Sequence, residues 1–172
     1  MERGEEDDED EDDEETLGEQ LISSCLNGNV EEVRKLLQNP HINTNWQDEH
    51  SRIPFHSACQ KGHSDIVKLL LDDERIDVNK VPPSHYLTPF YIACYFQSIE
   101  IVKILLNDER VDVDKGDDNG DTPFHFACEN GHVEIVKLVL DCERVDLNKT
   151  GCDRDSPFYI ACKYGRIEIV KL

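Results

Sequence analysis

An eighteen-residue pattern recurs along this chain of 172 residues, and it constrains the fold more than any other feature. Three full copies read PFHSACQKGHSDIVKLLL, PFYIACYFQSIEIVKILL and PFHFACENGHVEIVKLVL, and a shorter fourth copy follows them. The prolines that open the copies are 35, 34 and 34 residues apart. A weaker first copy, SCLNGNVEEVRKLL, places Cys25 34 residues before Cys59. Self-similarity at such a period indicates a solenoid of five units, each of which buries its apolar side against its neighbours.

Each unit is predicted to form two short helices joined by a tight turn. In three units a hydroxyl residue precedes the proline, as in Thr88-Pro89, which is typical of an N-cap followed by proline at the first helical position. An acidic residue then opens a second helix, where it suits the positive end of the helix dipole. The segments between units repeat almost unchanged, so we assign Glu74–Asp77, Glu109–Asp112 and Glu143–Asp146 to contacts between units.

These motifs resemble the ankyrin repeat. The Thr-Pro-Leu-His motif of that family reads TPFH, TPFY or SPFY here, and Ala-Cys, Gly-His and Glu-Ile-Val-Lys-Leu-Leu follow it. The resemblance implies an all-α, helix-turn-helix solenoid with protruding β-turn finger loops. It also implies a concave face that binds other proteins, with no catalysis of its own and no cofactor.

The predicted organisation is an acidic tail over residues 1–15 and an ankyrin repeat domain over residues 16–172. The repeats are placed at about 16–46, 47–80, 81–115, 116–149 and 150–172, numbered one to five. Repeat five stops inside its second helix, which leads us to expect a fragment of a longer array. The alternative is that an open apolar end is itself an interface.

The tail carries much of the net charge of −20, since residues 2–15 hold twelve acids and one base, Arg3. Such a run cannot bury apolar surface and should repel itself into a disordered coil. Order is therefore expected to begin at Thr16, where Thr16 and Glu19 have capping-box spacing. The excess of acids argues against proteins that track a nucleic-acid backbone or bind anionic membranes.

The cysteines indicate a reducing compartment, because seven of them occur in a chain without a recognisable secretory signal. We expect a cytoplasmic protein, with the nucleus as the alternative. No apolar run approaches the length of a membrane span. Five cysteines share one register position and are expected to be buried core thiols without disulfides. They are Cys25, Cys59, Cys94, Cys128 and Cys162.

Three features depart from the family pattern, and the first is a period of 34 residues where the family has 33. The glycine that usually ends the second helix is missing, so Asn39, Asp73 and Asp108 are expected to take its left-handed conformation. Repeat three has Gln97-Ser98 in place of Gly-His and one extra residue in its finger, so its turn is the least regular.

One histidine pattern resembles half of a zinc site: His56-x-x-Cys59-x-x-x-His63 recurs with the same spacing two repeats later. The repeat explains it without a metal, since repeats three and five carry tyrosine in place of the first histidine. In ankyrin-like stacks these positions tie neighbouring fingers and turns together, and we expect that role and no metal site here.

Partner recognition should lie where the repeats differ, at the finger tips and the last exposed turn of each first helix. A surface with aromatic residues in repeat three and acids in repeat four has the composition of a binding hot spot. For Tyr95 and Phe96 the alternative is packing against the altered turn. The candidate partner-binding residues are Trp46, His50, Arg52, His85, Leu87, Tyr95, Phe96, Asp118, Asn119, Asp121, Glu129 and Tyr164.

The predicted function is that of an intracellular scaffold or adaptor, monomeric, that binds a protein partner on the concave face. A basic partner suits the acids of repeat four and of the tail. Two alternatives stay open. The chain could be the targeting or regulatory arm of a longer enzyme or channel, or the acidic tail could be the element that binds basic proteins.

Overall fold

The computed structural model describes residues 6–83, 86–151 and 153–172, and for residues 6–15 it describes the backbone alone. Within those ranges the chain forms ten α-helices and no β-strand. The helices come in five pairs, and two or three residues join the members of each pair. They are α1 (Glu6–Asn27), α2 (Val30–Leu37), α3 (Pro54–Lys61), α4 (Ser64–Leu71), α5 (Pro89–Tyr95), α6 (Ile99–Asn107), α7 (Pro123–Asn130), α8 (Val133–Leu140), α9 (Pro157–Lys163) and α10 (Ile167–Val170).

The pairs stack into two layers. The first helix of each pair packs against the first helix of the next, from α1 through α3, α5 and α7 to α9. The second helices form the other layer in the same order, from α2 to α10. One continuous apolar core runs between the layers through all five pairs. The predicted helix-turn-helix solenoid is therefore confirmed.

The predicted helix starts are also confirmed. The Thr88 hydroxyl accepts a hydrogen bond from the Tyr91 N–H at 3.1 Å, and the Ser156 hydroxyl accepts one from Tyr159 at 3.2 Å. Thr122 forms a full capping box with His125, whose ring in turn accepts from the Thr122 N–H at 3.1 Å. Each cap satisfies backbone donors that the helix leaves without a partner, which defines where the first helix begins.

The turn within each pair keeps one geometry even where the sequence departs from the pattern. Gly62 and Gly131 are left-handed, with φ of 77° and 78°, and Gln97 takes the equivalent position in repeat three with φ of 54°. The Ser98 N–H bonds to the Ala93 carbonyl at 2.9 Å, as the corresponding N–H groups do in repeats two and four. Repeat three thus retains the turn at the cost of left-handed backbone in a residue with a Cβ, about 1–2 kcal/mol.

The left-handed conformation predicted for Asn39, Asp73 and Asp108 is wrong. None of the three has a positive φ. Each side chain instead accepts a hydrogen bond from the N–H two residues further on, at 2.9 Å in Asp73 and 3.0 Å in Asp108. This short side-chain turn replaces the missing glycine because it turns the chain without a positive φ.

Arginines tie each repeat to the one before it, which confirms the structural role assigned to the segments between repeats. Arg75 donates to the carbonyls of Leu37, Asn39 and Pro40 at 2.9–3.2 Å. One repeat later, Arg110 donates to the Leu71 carbonyl at 2.7 Å. These carbonyls lie at or just beyond the end of the preceding second helix, where backbone acceptors lack helical partners.

The five cysteines that share one register position differ in their burial. Cys25, Cys59, Cys94 and Cys128 are buried and free, as predicted, and burial raises the pKa of the Cys25 and Cys128 thiols to about 12. Cys162 is exposed, so the prediction of a core position is wrong for this residue. The reason is its place on α9, which packs against the first-helix layer on one side only.

The same one-sided packing leaves apolar side chains of the last pair in solvent. Phe158 is 61% exposed, whereas its equivalents Phe55, Phe90 and Phe124 are buried. Ile167 is also exposed. This surface is therefore the one that each earlier pair buries against its successor.

The first helix extends further than the sequence predicts. Order was expected from Thr16, but α1 begins at Glu6, so Thr16 lies inside a helix and not at its cap. A packed helix can extend backwards because adding residues to an existing helix is far easier than nucleating one. Residues 1–5 of the predicted tail lie outside the described residues.

Candidate functional site

The fingers and the exposed sides of the first helices α3, α5, α7 and α9 form one continuous surface, which we call the finger face. Two aspartates build its fingers. Asp48 accepts from the N–H groups of His50 and Arg52 at 3.0 and 2.8 Å. Asp117 does the same for Asn119 and Asp121 at 2.9 and 3.0 Å. These turns hold the finger tips in fixed positions.

Neither aspartate was among the predicted site residues. Each lies three residues before a left-handed position, Ser51 or Gly120, and closes the finger by a backbone bond to the residue four positions on. The Asp-x-x-Gly spacing in repeat four predicts a polar turn from Asp117 to Gly120, and the hydrogen bonds of Asp117 confirm that turn.

Hydrogen bonds join neighbouring fingers and turns, as the histidine pattern predicted. The His125 ring lies 3.1 Å from the Asp155 carbonyl of the next finger. The His63 ring lies 3.2 Å from the Leu26 carbonyl, and Arg166, at the equivalent position in repeat five, donates to the Glu129 carbonyl at 2.6 Å. In the part of the chain that the structure describes, no group of His, Cys, Asp and Glu is arranged to hold a metal ion.

Aromatic rings from repeats three and four form a cluster on the finger face. The Tyr95 ring stacks on Phe126 with centroids 5.0 Å apart, and the Phe96 ring contacts Tyr95 edge-on at 5.1 Å. The Tyr91 ring is tilted against Phe126, with centroids 5.7 Å apart. Tyr95 and Phe96 are 48% and 46% exposed, so each ring is half in contact with the protein and half in solvent.

Phe126 supports this cluster and was missed in the sequence. It is half-buried in α7 at a position that Ser57, Ile92 and Ile160 occupy in other repeats. A large aromatic ring at this position in one repeat alone is the sequence feature that could have identified Phe126.

Carboxylates of repeat four lie beside the aromatic cluster. Burial raises the pKa of the Tyr91 hydroxyl, and the negative charges of Asp117, Asp121 and Glu129 raise it further. The Tyr164 hydroxyl of repeat five donates a hydrogen bond to Glu129, which raises the pKa of that tyrosine. The finger face is therefore aromatic on repeat three and negative on repeat four.

Repeat five holds a cation on the same face. The Lys163 ammonium lies 3.3 Å from the Asp155 carboxylate and within 5.8 and 6.0 Å of the Tyr159 and Tyr164 ring centroids. The hydrogen bond and charge of Asp155 raise the pKa of Lys163. An ammonium between a carboxylate and aromatic rings is thus already part of this surface.

The other predicted binding residues have different surroundings. Trp46 is half-buried and lies against Gly18 of α1, where a Cβ on the glycine would be 2.1 Å from the Trp46 ring. Leu87 is half-buried against the core. Arg52 pairs with Asp48 at 2.5 Å. These three residues therefore have packing or turn contacts of their own.

The remaining predicted residues lie on finger tips or outside the described chain. His50 is exposed, 3.5 Å from the Glu49 carboxylate, on the finger of repeat two. Asp118 and Asn119 are exposed on the finger of repeat four. His85 lies outside the described residues. The structure thus brings Tyr95 and Phe96 together with Phe126 on α7, the helix that also carries Glu129.

Comparisons with known proteins agree with this architecture. A family model of ankyrin repeats, in three copies, matches residues 9–82 and 90–172. Acyl-CoA-binding domain-containing protein 6 of Danio rerio is 36% identical over 53 residues, which are 31% of this chain and 18% of that protein. The protein of the same name in Rattus norvegicus is 32% identical over 54 residues, 31% of this chain and 19% of that protein. The chain covers less than a fifth of the length of these relatives.

Ankyrin repeats are generally protein–protein interaction modules, and the fold is typically not catalytic. Among the described residues, no helix has the length and apolar character needed to cross a membrane. Five stacked helix pairs, of which three have hydroxyl–proline starts, and the finger turns between them account for the match over most of the sequence. The chain belongs to the ankyrin-repeat family.

Proposed function

We propose that this chain is an adaptor that captures a protein partner on its concave face, which corresponds to the finger face, with repeats three and four at the centre. The observation that carries the proposal is the half-exposed pair Tyr95 and Phe96, stacked on Phe126 beside the carboxylates of repeat four. Large aromatic side chains with few rotatable bonds are the residues that most often dominate protein interfaces.

The rigidity of the surface supports the same proposal. Asp48 and Asp117 hold the finger turns, and His125 joins one finger to the next. A surface that is already ordered loses little entropy when it binds, so more of the contact energy remains as affinity.

The proposal extends to the setting of the protein. Buried, unpaired thiols such as Cys59 and Cys94 suit a reducing compartment, the cytoplasm or the nucleus. We place the adaptor there as a monomer. Size-exclusion chromatography with light scattering tests the oligomeric state, and a dimer mass would contradict it.

A quantitative capture experiment tests the binding surface. The immobilised chain is compared with the double variant Tyr95→Ala/Phe96→Ala and with a deletion of residues 2–15. The matched control is Phe158→Ala/Ile167→Ala, which also removes two exposed apolar side chains but from the side of the last pair. We expect the aromatic variant to lose the specific partners, and the deletion and the control to keep them at physiological salt.

Thermal unfolding shows whether the aromatic variant still folds. Loss of ring contacts at the surface should cost about 1 kcal/mol for each pair, a fall of about 2–4 °C per kcal/mol in a domain of this size. A fall of more than about 10 °C would mean that the rings are part of the core. Partners that disappear with the tail deletion but not with the aromatic variant would assign binding to the acidic tail instead.

A second candidate is that the chain is the targeting or regulatory arm of a longer enzyme or channel. The observation that favours it is that the relatives are named for a different domain, while the chain matches only 18–19% of their length. An immunoblot of the native protein tests this candidate. A single band at the mass calculated for 172 residues would contradict it.

A further inference from the structure

The aromatic cluster on the finger face is a half-open platform whose surroundings define what can cover it. The exposed faces of Tyr95 and Phe96 are apolar, which by itself would fit any apolar side chain. The neighbouring repeat narrows the choice of ligand, because the Tyr95 ring stacks on Phe126 and Glu129 lies one turn after Phe126 on the same helix, α7. The negative charge of Glu129 also raises the pKa of Tyr91 in the same cluster. An apolar ligand would desolvate the Glu129 carboxylate without compensation, whereas a cation would pair with it.

The residues that follow the register cysteine occupy equivalent places on the finger face in successive repeats. They are Gln60, Tyr95, Glu129 and Lys163. In repeat five the cation at this place lies between the Asp155 carboxylate and two tyrosine rings. Repeat four has Glu129 at the same place, one helical turn after Phe126, on which the Tyr95 ring stacks. Aromatic rings and a carboxylate are therefore also present where repeats three and four meet. At this place repeat four has a carboxylate, whereas repeat five has an ammonium.

Glu129 has capacity for a ligand in addition to its own contact. A carboxylate offers about four acceptor positions, and the Tyr164 hydroxyl uses one of those of Glu129. The residue is half-buried, so a charge-assisted hydrogen bond to it would be screened less than one at a fully exposed acid.

We propose that Tyr95 and Phe96 of repeat three and Glu129 of repeat four form a binding site for an arginine side chain of the protein partner. The guanidinium plane stacks on the exposed rings while its N–H groups donate to the Glu129 carboxylate. Arginine fits better than lysine because its flat group covers a ring and donates in the same plane to a carboxylate. The inference rests on the proposed binding function and names the chemistry of the partner.

The test measures binding of three fluorescein-labelled peptides to the full chain by fluorescence anisotropy at 150 mM salt, about physiological ionic strength. The peptides are four repeats of Gly-Arg, of Gly-citrulline and of Gly-Lys. Citrulline has the shape of arginine without its charge. We expect the arginine peptide to bind at least about tenfold more tightly than the citrulline peptide, and more tightly than the lysine peptide.

Matched variants separate the site from general attraction to an acidic protein. Glu129→Lys and Glu143→Lys change the net charge equally, but Glu143 follows α8, in the other helix layer. We expect Glu129→Lys to weaken the arginine peptide at least about tenfold and Glu143→Lys less than about twofold. Glu129→Gln removes the charge with little change of shape and should give an intermediate loss of affinity. It tests the same carboxylate if the lysine variant does not fold.

Three results would overturn the proposal. Equal weakening by Glu129→Lys and Glu143→Lys would mean that only net charge attracts the peptide. Equal binding of the citrulline peptide would mean that no cation is recognised, and equal binding of the lysine peptide would refute the choice of a guanidinium. If the arginine peptide does not bind but partner capture still depends on Tyr95 and Phe96, the adaptor function stands and the arginine site alone is wrong. If the aromatic variant also leaves partner capture unchanged, the adaptor function and the arginine site are both wrong.

Discussion

Removal of Arg144 is the cleanest perturbation of the contacts between repeats. Its guanidinium donates to the Val111 carbonyl at 2.9 Å and to the Leu106 carbonyl at 2.7 Å, both in repeat three. Arg110, at the equivalent position in repeat three, also pairs with Asp108 in its own turn. Repeat four has Cys142 where repeat three has that aspartate, so Arg144→Ala removes the two carbonyl bonds without breaking an equivalent local pair.

The expected cost follows from those two bonds. A hydrogen bond from a charged donor contributes about 1.5–3 kcal/mol when water is excluded. Arg144 is exposed, and water can replace it at the Leu106 carbonyl, whereas the Val111 contact is partly buried. We therefore expect Arg144→Ala to lower the free energy of unfolding by about 1–2 kcal/mol in total. Arg144→Lys should recover less than half of the loss, because an ammonium cannot reach two carbonyls in a fixed fork.

Urea unfolding followed by circular dichroism measures the size of the effect, and hydrogen exchange shows where it occurs. In a solenoid, a weaker interface should release the repeats on one side of it as a unit. Amides of α8 and α10 should then exchange faster than in the wild type, while those of α2 and α4 should change little. A loss below about 0.5 kcal/mol, or full recovery with lysine, would refute the assignment of these arginines as ties between repeats.

Two further predictions concern pH and thiol reactivity. Hydrogen bonding and charge from Arg110 lower the pKa of Asp108, so its stabilising effect is present above the unfolded pKa of about 3.9 and is lost as pH falls through the folded value. The difference in unfolding free energy between wild type and Asp108→Asn should hence be constant from pH 7 to about 5 and shrink towards zero in more acid solution; a difference that grows on acidification would contradict the sign. Alkylation with iodoacetamide followed by mass spectrometry should modify exposed Cys162 in the folded chain and reach Cys25 and Cys128 only after unfolding, since burial raises the pKa of those two thiols to about 12. Equal labelling of Cys25 and Cys162 under native conditions would contradict the burial of Cys25.

Much of the fold follows from local rules that a sequence displays. The period predicted five stacked pairs, and the hydroxyl–proline starts at Thr88, Thr122 and Ser156 form the caps that such dipeptides favour. The nearly constant arginines were correctly assigned to contacts between repeats. Where the sequence prediction failed, several local solutions were available, as at Asp73, where a side-chain turn serves in place of a left-handed residue.

The candidate site could be predicted less completely, because its side chains come from different repeats. Tyr95 was predicted as a binding residue, but the ring that supports it, Phe126, lies in the next repeat, and nothing near Tyr95 in the sequence identifies it. Trp46 appeared equally suitable for binding, and only the packed structure places it against Gly18 of α1.

The repeat, the pairing of the helices and the ties between repeats can thus be predicted from the sequence, because each depends on residues at a regular spacing along the chain. The exposure of side chains on the finger face becomes known only from the folded stack. Exposure depends on the neighbours that the stacking of successive repeats brings together, as with the rings of repeat three and the carboxylates of repeat four, and those neighbours are adjacent only once the solenoid has formed.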